Sequence, residues 1–274
     1  MPNLAFRPDL MSRRRSTGGG APPTLSEQME ALLLGTNGIA LDPTDNATMW
    51  LEDTKATQLT GDGQTVGCIR SKWGNTQYDF VQSDPTARPL RTGGKFITPD
   101  AVNDFLTLDS AFAALQNAPG YFISCRINEA VAESGNDGLF RISAGNSATG
   151  QRVDVVYAAG KMRTRVRRLD ADAVTDNFGT TGQFWDATAL TDAFSLDLIS
   201  GAAIKIKNNI DIDTYTHPGS GNSENTASLR VRLFSNLANT AASFAAKPIG
   251  RSVVLPWAPS AAERTLVHDW QMEV

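Results

Sequence analysis

A chain of 274 residues, 41% of them hydrophobic, can bury a sizeable core as one large domain with appendages or as two small ones. A net charge of −4 with 20% charged residues excludes bulk nucleic-acid binding and leaves only local basic patches to consider. No apolar run approaches the roughly 20 residues a membrane helix needs, and no secretory apolar stretch follows Met1. The expectation is a soluble chain without membrane insertion, folded in a cytoplasm.

Residues 1–24 read as a flexible basic arm. Arg7, Arg13, Arg14 and Arg15 outnumber Asp9, and the segment runs out through Gly18-Gly19-Gly20 and Pro22-Pro23. It carries too little apolar surface to order itself. Leu4, Phe6, Leu10 and Met11 are nevertheless apolar enough to dock on a partner, so Leu4, Phe6, Arg7, Arg13, Arg14 and Arg15 are the expected anchoring residues. A transit peptide would need a longer amphipathic pattern, and a frayed terminus without a role is the plain alternative. Residues 25–35 then read as a short helix. Thr24 or Ser26 supplies an N-cap, Glu27 completes a capping box, Gly35 ends it, and Leu25, Met29, Leu32 and Leu33 share one face.

From residue 36 to 274 the pattern is that of one β-domain. Asp42-Pro43, Gly61-Asp62-Gly63, Gly74-Asn75 and Asp84-Pro85 punctuate short apolar pieces between Gly38 and Leu108. Beyond, strands are expected at 120–128, 138–143, 152–157, 161–169, 193–200, 203–213, 228–235 and 250–257, with a short helical turn at 109–117. Ten to fourteen strands without α/β alternation favour an all-β, two-sheet antiparallel sandwich. Pro259-Ser260 opens a capped terminal helix carrying Trp270, with Glu263 in the first turn. Cys68 and Cys125 alternate with apolar neighbours and read as two buried free thiols.

The stretch Gly38–Leu108 also resembles a family. Asp42-Pro43-Thr44-Asp45, Met49-Trp50, Val66-Gly67, Ser71-Lys72-Trp73-Gly74-Asn75 and Ala87-Arg88-Pro89 follow, in order, a passage that opens concanavalin A-like (laminin G-like) jelly-roll domains of phage and prophage virion proteins. Ile249–Trp257 followed by Pro259-Ser260-Ala261-Ala262-Glu263 resembles the way such domains end. Two positions depart. The usual Asp-Lys-Ser-Gly-Asn is Ser71-Lys72-Trp73-Gly74-Asn75 here, and the usual Phe-Asp-Gly is replaced by Thr98-Pro99-Asp100-Ala101. These motifs read as corner chemistry, where Asp, Gly and Asn tolerate unusual backbone angles. The resemblance implies a concanavalin A-like jelly roll that folds in a bacterial host and joins a virion or phage-like particle. Its partners would be capsid, tail or baseplate proteins and further copies of itself.

Catalytic chemistry finds little support, and no catalytic residue is assigned. Carboxylate pairs in sandwich glycosidases sit close together on one strand. The nearest alternation, Asn209-Ile210-Asp211-Ile212-Asp213, lacks a glutamate. His217 and His268 have no nucleophile beside them, and no phosphate, zinc or dinucleotide motif appears. No cofactor is expected. Asp42, Asp45, Asp53 and Asp62 are loop acids of the type that ligate calcium, but turn capping explains them as well and no metal is assigned.

One pattern has more content. Lys161, Arg163, Arg165 and Arg167 recur at period two, and Lys205, Lys207, Arg230 and Arg232 repeat the device on two further stretches. If those strands are neighbours they form a basic face for an anionic glycan or partner. A solvated face with interleaved acids such as Asp154, Asp197 and Asp211 is the alternative. Trp73 and Trp185 lie in irregular segments where sugar stacking is conceivable, whereas Trp50, Trp257 and Trp270 read as core. The functional expectation is a non-enzymatic particle subunit, such as a tail or baseplate fibre, head spike or decoration protein. Its arm would anchor it, and its sandwich would contact host-surface polysaccharide. A glycan-hydrolysing depolymerase and a purely architectural subunit are the two alternatives.

Overall fold

A computed structural model describes residues 21–74, 78–128, 137–143, 151–158, 161–169, 172–173, 175–177, 190–218, 221–223, 229–234 and 247–274. Strands in the first part of the chain are short: β1 (Ile39–Leu41), β2 (Met49–Trp50), β3 (Cys68–Arg70), β4 (Asp79–Val81), β5 (Leu90–Thr92), β6 (Phe96–Thr98) and β7 (Leu106–Leu108). The later ones are mostly longer: β8 (Gly120–Ile127), β9 (Asp137–Ser143), β10 (Gln151–Ala158), β11 (Lys161–Val166), β12 (Thr175–Asn177), β13 (Leu190–Asp197), β14 (Ala202–Lys207), β15 (Ile210–Thr216), β16 (Arg230–Leu233) and β17 (Ile249–Leu255). Two helices frame them, α1 (Leu25–Leu33) and α2 (Ala261–Met272).

These strands form two antiparallel sheets. One has the order β15-β14-β13-β8-β17-β6-β5, with β1 also paired to β17. The other is nine-stranded, in the order β12-β11-β10-β9-β16-β7-β4-β3-β2. Alternate residues of both meet in the middle: Ile123, Cys125, Phe194 and Leu196 from one sheet face Phe80, Phe140, Ile142, Val153, Val155 and Val231 from the other. The fold is therefore a two-sheet antiparallel jelly-roll sandwich, with a helix near each end of the described chain.

The helices form where their caps predict. Thr24 and Glu27 make a reciprocal capping box at α1, and Ser260 and Glu263 make another at α2. Gly35 takes a left-handed φ of 77° just beyond α1. Both helices lie on the outer face of the eight-stranded sheet, where Met29, Leu33, Leu266, Val267 and Trp270 bury against Ala40, Phe122, Ala193, Ile206 and Val253. Cys68 and Cys125 are buried free thiols, and burial raises both; Cys68 reaches about 12.

Two expectations need correction. The stretch 203–213 is not one strand but a hairpin of β14 and β15, turning at Asn208 and Asn209 with φ of 48° and 61°. Asparagine tolerates that left-handed region, so an Asn-Asn pair closes a two-residue turn. Among the described residues there are also 17 strands, more than expected, because several corners pair over only two or three residues.

Candidate functional site

The residues that carry the family resemblance build a corner. Asp42, fully buried, accepts from the Thr44 hydroxyl at 2.6 Å, from Lys72 Nζ at 2.9 Å and from Arg251 Nε at 3.1 Å. Burial alone pushes its carboxyl pKa up, but Thr44, Lys72 and Arg251 outweigh this and hold it below the usual value. Lys72 also pairs with Asp45, whose other oxygen caps the 3-10 turn at Ala47. Arg251 continues to Glu273 and to the Trp270 carbonyl, tying the corner to the end of α2. Gly67 and Gly74 are required sterically: a Cβ would lie 2.4 Å from the Leu51 carbonyl or 2.6 Å from the Gly38 carbonyl.

The other loop acids are engaged in the same manner. Asp53 faces Arg88, and Asp62 faces Arg91 at 3.0 Å. Each of the four calcium candidates thus already neutralises a cation. Among the described residues, no three His, Cys, Asp or Glu side chains converge as a metal site would need.

The basic strands separate into two groups. In the nine-stranded sheet, Met162 and Val166 enter the core, so Arg163 and Arg165 of β11 stand on the outer face. Val231 and Leu233 likewise turn Arg230 and Arg232 of β16 outward. The strands are not adjacent: β9 and β10 lie between them. Their register supplies a continuous row, Arg232 opposite Arg141, Arg141 opposite Asp154, and Asp154 opposite Arg165. Arg141 Nε lies 3.7 Å from Asp154 Oδ1, with both side chains almost wholly buried. Arg232 stacks over Phe105 at 4.6 Å. Burial lowers the pKa of Arg141 against the pull of Asp154, and lowers that of Arg232 together with the charge of Arg141. Arg167 lies just past β11 and is half-buried; nothing is described of the Lys161 side chain.

Lys205 and Lys207 do not share this face. They belong to β14 of the other sheet, where Ile204 and Ile206 turn outward toward α2. Lys205 is completely buried between the sheets, 2.6 Å from Asn177 Oδ1 of β12 and 3.4 Å from Asp213, over the Tyr215 ring. Tyr215 in turn bonds Thr164 of β11 at 2.9 Å. A period-two pattern fixes which side of a strand a residue takes, but not which sheet the strand joins. Arg141 was missed for the opposite reason: a lone cation between Phe140 and Ile142 shows no repeat of its own.

The remaining candidates resolve simply. Trp73 is half-buried against Trp270, with centroids 5.5 Å apart, so it packs rather than offering a sugar platform. Trp50 and Trp257, expected in the core, are half-buried. Trp185, Leu4, Phe6, Arg7, Arg13, Arg14 and Arg15 lie outside the described residues. Asp211 turns to Arg264 of α2 at 2.6 Å while Asp213 turns to Lys205, because a register shift in the β14–β15 ladder places them on opposite faces. They are therefore not a carboxylate pair. His268 Nδ1 is 2.6 Å from the Thr191 hydroxyl, and burial lowers the pKa of His268 and His217 alike. A groove of about 510 Å³ at the first turn of α2 runs past Ser195, Ile204, Trp257 and Arg264. Arg264 is held by Asp211 and Glu263 by the helix cap, so its charged groups are already engaged.

No family model and no curated protein matches the sequence. Solved structures are similar at the level of fold. A Trypanosoma rangeli sialidase in complex with 2,3-difluorosialic acid is 10% identical with a TM-score of 0.50, over 77% of this chain and 32% of that one. The binding domain of botulinum neurotoxin serotype D/C is 10% identical with a TM-score of 0.47, over 72% and 50%. The CBM40 of Ruminococcus gnavus IT-sialidase, bound to α2,3-sialyllactose, is 16% identical with a TM-score of 0.45, over 57% and 85%.

Proposed function

We propose that this chain is a structural subunit of a phage or phage-like particle, fixed by residues 1–24, whose sandwich presents the outer face of the nine-stranded sheet to anionic glycans of a host surface. The observation that carries the glycan-facing part is the asymmetry of the two outer faces. Helices α1 and α2 occupy one with apolar side chains, and the other bears Arg163, Arg165, Arg230 and Arg232 around the Arg141–Asp154 pair. Guanidinium groups backed by a sheet suit carboxylated or phosphorylated sugars, which they meet through paired hydrogen bonds.

The particle part rests on the family resemblance, whose Asp42, Asp45 and Lys72 meet in one buried corner. The partners in this reading are capsid, tail or baseplate proteins and further copies of the chain, with the particle surface as its location. A shortened chain lacking residues 1–20 tests it. Circular dichroism and thermal unfolding should match the full chain, while incorporation into particles is lost. Undiminished incorporation contradicts the anchoring role.

A further inference from the structure

The helical cover over the eight-stranded sheet stops where α2 begins. Beside its first turn lies the open groove of about 510 Å³, floored by Ser195 and Asp197 of β13 and Ile204 of β14, and walled by Trp257, Glu263 and Arg264. That volume is within the roughly 300–1,000 Å³ of small-molecule sites. Gly120 fixes the Trp257 wall. A Cβ there would lie 2.5 Å from the Leu196 carbonyl oxygen and 2.8 Å from the Ala258 nitrogen, so only glycine lets the segment after β17 pack this close.

The charges of the groove are engaged within the protein. Arg264 pairs with Asp211, and Asp197 accepts from the Ile199 and Ser200 amides and from the Ser200 hydroxyl. Glu263 caps α2 with Oε2 and keeps Oε1 as an acceptor. The neutral groups are not engaged. Ser195 is only 5% exposed, yet its hydroxyl has no hydrogen-bond partner among the described residues. A polar group so nearly buried costs free energy unless a molecule in the groove bonds it. Trp257 is half-buried, and among the described residues its ring meets no cation or second ring and its indole N–H has no acceptor.

We propose that this groove binds one neutral pyranose ring, as an end or branch residue of a polysaccharide. The apolar face of the sugar lies on the Trp257 indole, and its hydroxyls bond Ser195, Glu263 Oε1 and the Trp257 N–H. Two carboxylates disfavour an anion here, and the positive pole of α2 disfavours a cation. The site lies on the opposite sheet from the arginine face and does not depend on it.

Saturation-transfer NMR of the full chain with methyl α-mannopyranoside, methyl β-glucopyranoside and methyl β-galactopyranoside tests this. At least one glycoside should bind saturably in the millimolar range, equally at low and high salt because the ligand is uncharged. Ser195→Ala should weaken that binding roughly threefold to tenfold. Trp257→Ala should weaken it by about tenfold or more. Ala202→Phe, at an exposed position of the groove, should block it while thermal unfolding stays that of the natural chain. The proposal is overturned if none of the three glycosides binds saturably, if binding weakens as salt rises, or if Ser195→Ala and Ala202→Phe bind like the natural chain. Uncharged glycosides make no ion pair with the arginine face, so failure here leaves the anionic-glycan reading standing, and the reverse holds too.

Discussion

The two outer faces of this sandwich solve opposite problems with the same alternation of side chains. On the eight-stranded sheet the outward residues include Ala40, Phe122, Ala193, Ile206 and Val253, and α1 and α2 close over them with Met29, Leu33, Val267 and Trp270. On the nine-stranded sheet the outward residues of the central strands are Arg232, Arg141, Asp154 and Arg165. An apolar face must be covered, and its cover leaves it unable to meet a ligand. On the charged face Arg141 and Asp154 are buried at the centre, and solvent access lies at its margins, where Arg163 and Arg165 are partly exposed and Arg230 is exposed. The contrast teaches that alternation sets the chemistry of a face, whereas the solvent access of each side chain decides what that face can meet.

The largest way to break this contrast is to open the covered face. Trp270 is fully buried, against Trp73 and beneath Arg251 at 4.7 Å. Trp270→Ala should lose about 3–5 kcal/mol of unfolding free energy by denaturant titration. A loss below about 1 kcal/mol contradicts a cover that stabilises the sheet.

Asp42→Ala leaves Arg251 and Lys72 without their shared buried partner, and roughly 3 kcal/mol should be lost. The pH response follows from the lowered carboxyl pKa. Its stabilisation is present above the unfolded value near 3.8 and is lost as pH falls through the folded one. Acid unfolding of Asp42→Ala should therefore lack that component. Asp104 behaves in the opposite sense. Burial raises it to about 6 from 3.8, so its contribution is present at low pH and is lost as pH rises from about 4 through 6. Stability measured across that window should fall less in Asp104→Asn than in the natural protein; identical slopes contradict the assignment.

A smaller effect is expected on the charged face. Arg163→Glu and Arg165→Glu together should change stability by less than about 1 kcal/mol, since both guanidinium groups are half-exposed. A loss comparable to that of Trp270→Ala would mean these arginines hold the sheet together.

Much of this was legible before any coordinates. The capping residues Thr24, Glu27, Ser260 and Glu263 placed both helices, and apolar runs between turn residues placed the strands β8, β9, β10 and β16. What alternation lacks is the identity of a strand's neighbours, which depends on contacts distant in sequence. Lys205 therefore looked like a companion of Arg163 and is instead buried between the sheets beside Asn177. Asp211 and Asp213 looked like same-face neighbours until the register shift turned them apart. Arg141 carried no repeat at all and became visible only through its register with Arg232 and Asp154.

The most direct test of the glycan-facing reading is binding of the full chain to immobilised acidic and neutral bacterial polysaccharides at low and high salt. It should be compared with the Arg163→Glu, Arg165→Glu, Arg230→Glu variant. The account predicts binding to the acidic polymer that weakens as salt rises, and a loss of about tenfold or more in the variant at low salt. Equal binding by the natural chain and the variant at low salt, or an equal preference for the neutral polymer, would contradict it.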